Sequence, residues 1–68
     1  MYVIEIVNSS EKSWIASHNE GYPAITLLIE NAQTFTSILQ ANDRIKRIKE
    51  AHPLNTMVYE VRKASNFS

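Results

Sequence analysis

Ser37-Ile38-Leu39-Gln40-Ala41-Asn42-Asp43-Arg44-Ile45-Lys46-Arg47-Ile48-Lys49-Glu50-Ala51-His52-Pro53 is the stretch on which the fold turns. Ser37 and Gln40 stand in the S-x-x-Q form of a capping box, in which a side-chain oxygen satisfies a backbone N–H at a helix start. From Ile38, the residues Ala41, Ile45, Ile48 and His52 follow at spacings of 3, 4, 3 and 4. At about 100° per residue they share one stripe roughly 80° wide. Pro53 ends the pattern, because the residue before a proline is pushed out of the α region. The spacing predicts a helix over 37–52 with one apolar face, and that face needs a cover.

Strands on either side supply the cover. Tyr2-Val3-Ile4-Glu5-Ile6-Val7 is rich in β-branched residues, and its alternation points Ile4 and Ile6 inward, leaving Val3 and Val7 with Glu5 on the outer side. Asn8-Ser9-Ser10-Glu11-Lys12 has turn chemistry, and Ser13–His18 reads as a second strand with Trp14, Ala16 and His18 on one face. Asn19-Glu20-Gly21-Tyr22-Pro23 reads as a loop, and Ile25–Ile29 as a third strand with Ile25, Leu27 and Ile29 on one side. Asn31 is placed to cap a helical turn over Ala32–Phe35. Thr56–Lys63 closes the chain as a strand, with Met57, Tyr59 and Val61 inward. The expected architecture is α+β: a small antiparallel sheet, order β-β-β-α-β, with one amphipathic helix packed on one face. Residues 1–63 form the single domain, and 64–68 are a frayed tail.

Composition bounds the chemistry. A chain of 68 residues has room for one core and buries only about 60% of its unfolded surface. Without cysteine there is no disulfide, thiolate metal site or thiol nucleophile. No apolar run reaches the roughly 20 residues of a membrane helix. The N-terminal stretch lacks the basic lead of a signal peptide and reads as a strand, so the expected location is cytoplasmic. With one glycine there is no Gly-rich phosphate loop. The serines and threonines sit in turn-like settings rather than a nucleophile elbow. His18-x-Glu20 offers two metal ligands, too few for a zinc site, and His52 at a helix C-terminus needs no role beyond the dipole. The expectation is no enzyme, no cofactor and no metal.

Charge is what remains. The net charge is zero, but residues 1–43 carry five acids against Lys12, and residues 44–68 carry six bases against Glu50 and Glu60. Arg44, Lys46, Arg47, Lys49, Arg62 and Lys63 are the candidate contacts for a nucleic acid or an acidic protein surface. On the helical wheel Arg44 and Arg47 flank one side of the apolar stripe and Lys46 and Lys49 the other. Asp43 and Glu50 lie between them, placed for the (i, i+4) pairs Asp43–Arg47 and Lys46–Glu50. Aromatic residues on an open sheet face beside Arg62 and Lys63 would make a stacking platform for bases. Trp14 and Tyr22 are the aromatic candidates for partner contact, with a place in the core as the competing use of Trp14.

The segment Glu30-Asn31-Ala32-Gln33-Thr34-Phe35-Thr36-Ser37, followed by Ala41, lies between a Tyr2-Val3-Ile4 strand and Val58-Tyr59-Glu60-Val61. In this it resembles a group of very small phage and prophage proteins that lead from an N-terminal hairpin through NA-x-x-F-x-S into a helix and a last strand. It departs from them at Gln33, where a basic residue is usual. The resemblance implies a small accessory protein and carries over no functional residue. Three expectations follow. The first is a non-enzymatic protein that occupies a surface of a host or defence-system protein, as an inhibitor would. The second is a nucleic-acid-binding module using the basic helix. The third is a homodimeric accessory protein joined at an exposed sheet edge or apolar patch.

Overall fold

A computed structural model describes residues 1–16 and 24–64. The expected loop with Tyr22, the pair His18 and Glu20, and residues 65–68 of the expected tail lie outside the described residues. The elements are β1 (Tyr2–Ile6), β2 (Ser13–Ile15), β3 (Ile25–Thr26), a 3-10 turn (Ile29–Asn31), α1 (Ile38–Ala51) and β4 (Tyr59–Lys63). All strands are antiparallel, in the order β3-β2-β1-β4. The α+β class and the element order β-β-β-α-β are as the sequence predicts.

α1 keeps the expected bounds, with Ser37 as N-cap and His52 as C-cap. Ser37 Oγ accepts from the N–H of Gln40 at 3.2 Å. Gln40 Oε1 does not return to the cap residue itself but accepts from the N–H and hydroxyl of Thr36, at 3.2 and 2.8 Å. The box is thus shifted by one residue, and it ties the helix start to the segment before it.

The helix covers the face of the sheet that carries Ile4, Ile6 and Ile15. Ala41 and Ile48 are buried there with Phe35, while Tyr2, Ile45, Met57, Tyr59 and Val61 pack against the cluster half-buried. Ile38 departs from the expected stripe: it stands at the first turn of α1 and is 49% exposed.

Val3 was expected outside and is fully buried. The alternation is right, but the second face has a cover of its own, in which Val3 clusters with Ala32, Ala64 and the half-buried Trp14. Ala64, expected in a frayed tail, is buried in that cluster, and its N–H donates to the carbonyl of Met1 at 2.8 Å.

The segment expected as a helical turn over Ala32–Phe35 is extended instead. Phe35 and Tyr2 exchange both backbone hydrogen bonds at 2.8 Å, and Gln33 N–H donates to Ile15 C=O at 2.9 Å. The segment therefore joins the start of β1 to the end of β2, a stronger demand on its backbone than any local cap. Asn31 ends a 3-10 turn rather than starting a helix. The third strand shrinks to Ile25–Thr26, with Ile25, Leu27 and Leu28 largely exposed. β4 is shorter than the run Thr56–Lys63 read from sequence, and Ser17 and His18 of the expected second strand lie outside the described residues.

Candidate interaction surface

The chain reverses direction where α1 ends. Pro53 stops the helix, and Asn55 N–H donates to His52 C=O at 2.9 Å, closing a turn with Pro53 and Leu54 at its centre. Proline suits the first central position of such a turn, and the second points its side chain away from the body. Leu54 is 93% exposed as a result.

Lys49 holds the strand entry that follows. Its ammonium donates to the carbonyl of Asn55 at 3.1 Å and to that of Met57, and sits 5.3 Å from the centre of the Tyr59 ring. Asn55 joins the same network, its amide donating to the Tyr59 hydroxyl at 2.8 Å and its Oδ1 accepting from Met57 N–H at 2.8 Å. Between this braced segment and β3 lies a groove of about 460 Å³ lined by Ile25, Ala51, Pro53, Leu54 and Met57, with His52, Asn55 and Thr56 supplying polar atoms. Leu27 and Leu28, next along from β3, are also more than half exposed. The groove and the exposed Leu27, Leu28 and Leu54 together form an apolar surface of the kind that binding sites use.

The six basic candidates do not form one patch. Lys49 is engaged inside the chain, with the carbonyls of Asn55 and Met57 and the Tyr59 ring. Arg47 is paired with Asp43 at 2.9 Å, as expected, whereas the expected Lys46–Glu50 pair does not form. Arg62 bridges Glu5 at 3.0 Å and Glu60 at 3.2 Å, and the Glu5 side chain is only 14% exposed. Arg44 places its Nε, buried and without a hydrogen-bond partner among the described residues, beside a smaller groove with Phe35, Gln40, Asp43 and Arg47. Lys46 and Lys63 are exposed and make no ion pair among the described residues.

Trp14 pairs with Glu5 across β1 and β2, so it lies on the sheet face opposite the helix. That face also carries Glu60 and Arg62, opposite Glu5 and Val3. The indole, between Glu5 of β1 and Thr26 of β3 and half-buried against the Val3 cluster, serves as a cover for that second cluster. Tyr2 and Tyr59 pack on the helix side.

Sequence reasoning passed over the groove. Its one available signal was Leu54, a large apolar residue directly behind the proline that ends the helix, where turn chemistry favours polar residues. Among the described residues there is no group of three or more potential metal ligands, and no helix is long and apolar enough to cross a membrane. No family model, curated protein or solved structure matches the chain.

Proposed function

We propose that this chain is a non-enzymatic binding protein that acts by occupying a surface of a larger protein, using the groove between the end of α1 and β3. The observation that carries the reading is Leu54, 93% exposed at a turn tip beside an apolar groove. A 68-residue chain has few large apolar side chains to spare, so placing several in water costs core that this small domain needs. The bracing of residues 55–57 by Lys49 presents the groove wall in a fixed shape, which lowers the ordering cost of binding. The phage-type resemblance suggests a host or defence-system protein as the partner, with inhibition as the consequence.

A photo-crosslinker placed at Thr56 on the groove rim tests this. Wild-type protein should capture a defined partner from cells of the source or its host, and Leu54→Asp should lose that capture while keeping the wild-type melting temperature. Equal capture by both forms, or no specific adduct from either, overturns the reading.

A further inference from the structure

β4 is the outermost strand on one side of the sheet. Val7 N–H donates to Val58 C=O at 2.9 Å and Ala64 N–H to Met1 C=O at 2.8 Å. These two bonds fix the parity of the ladder: Val58, Glu60, Arg62 and Ala64 aim their backbone groups at β1. Tyr59, Val61 and Lys63 aim theirs outward, where no described residue pairs with them.

We propose that this edge pairs with the same edge of a second copy, antiparallel about a two-fold axis at Val61. Two copies of Tyr59-Glu60-Val61-Arg62-Lys63 then continue one sheet across the dimer. Val61 faces the partner's Val61, and Tyr59 faces the partner's Lys63, each pair exchanging both backbone hydrogen bonds. Glu60 falls opposite the partner's Arg62 and Arg62 opposite the partner's Glu60, in the closely spaced non-hydrogen-bonded positions.

The charges select this register. A two-fold at Glu60 or at Arg62 sets like charges face to face. A two-fold at Tyr59 needs the outward groups of Met57, whose carbonyl already accepts from Lys49. Only the Val61 register meets opposite charges with free backbone groups. Lys63 lands opposite the partner's Tyr59, whose ring already has Lys49 over it, so that pair adds little. Recognition rests on the backbone bonds and on the exchange of Glu60 with Arg62. Arg62 keeps its cis partner Glu5 throughout, since that pair lies on the same face and within the same chain. The edge is distinct from the Leu54 groove, so either proposal can fail without the other.

Sedimentation velocity across a concentration series, paired with amide hydrogen exchange, tests the edge. The wild-type chain should associate reversibly to a dimer, and the amides of Tyr59, Val61 and Lys63 should gain protection as concentration rises. Glu60→Lys keeps the Arg62–Glu5 pair, gives up the exposed Glu60–Arg62 bridge within the chain and faces the partner's Arg62 with a cation, and should weaken association about tenfold. Lys63→Pro removes an outward N–H that takes no part in the β1–β4 ladder, and should also disrupt the dimer at unchanged fold. Leu54→Asp should leave it intact. A chain monomeric at the highest concentration overturns the proposal, and so does a dimer whose association ignores both edge substitutions.

Discussion

The Lys49 ammonium lies 5.3 Å from the centre of the Tyr59 ring while donating to the carbonyls of Asn55 and Met57. One cation thereby joins the last turn of the helix to the entry of β4. Hydrogen bonds from a charged donor contribute about 1.5–3 kcal/mol, and a cation over an aromatic face about 0.5–2 kcal/mol. Lys49→Met keeps the aliphatic stem and removes the charge. It should lower stability by about 1–3 kcal/mol in urea titration, with a matching loss of exchange protection around Met57. A wild-type midpoint for Lys49→Met would mean that the network is incidental and that Lys49 is free for a partner after all.

Two isoleucines on one helix should separate sharply. Ile48 is 3% exposed within the core cluster, while Ile38 is about half exposed at the first turn. Ile48→Ala should cost about 2–5 kcal/mol from lost burial and the cavity left behind. Ile38→Ala should stay within about 1 kcal/mol, since alanine is the better helix former and little burial is lost. Thermal melts of the two variants check this; equal losses would mean that Ile38 is covered in solution by something outside the chain.

Asn8 is the third test. Its amide donates to Thr56 C=O at 3.1 Å and its Oδ1 accepts from Val58 N–H at 2.9 Å, so one side chain clips the end of β1 to the lead into β4. Asn8→Ala should cost about 1–2 kcal/mol, and Asn8→Asp should fall between the two because it keeps only the acceptor. Denaturant midpoints ranked wild type, Asp, Ala support the clip; a ranking with Asp below Ala removes it.

What sequence could supply follows a physical line. The helix was legible with its ends because cap, apolar period and proline stop are local properties of Ser37, Ile45, Ile48 and Pro53. The inward sets Ile4 and Ile6, and Tyr59 and Val61, were legible because strand alternation is local too. The misreadings fall where a neighbour decides. Val3 is buried because Ala32 and Ala64 arrive from distant positions, and Phe35 is extended because Tyr2 offers both hydrogen bonds. Asn8 read as turn chemistry, since nothing in its vicinity announces partners some fifty residues on. The partners of the basic residues were hidden for the same reason: Lys49 meets the Tyr59 ring, and Arg62 meets Glu5, only once the chain folds.

That dispersal sets the last expectation, for nucleic acid. Phosphate binding grows with the number of cations that reach one strand together. Here Lys49 is committed inside the chain, Arg47 to Asp43, and Arg62 to Glu5 and Glu60, leaving Arg44, Lys46 and Lys63 on separate elements or flanks. Fluorescence anisotropy with labelled single- and double-stranded DNA should therefore find no affinity tighter than the non-specific range of about 10⁻⁴–10⁻⁶ M at physiological salt. Any residual binding should show a shallow dependence on salt, matching few phosphates contacted. Asp43→Asn frees Arg47 beside Arg44 and should steepen that dependence slightly. Submicromolar binding with a steep salt slope, lost in Arg44→Glu/Arg47→Glu, would reinstate the basic helix as the functional surface.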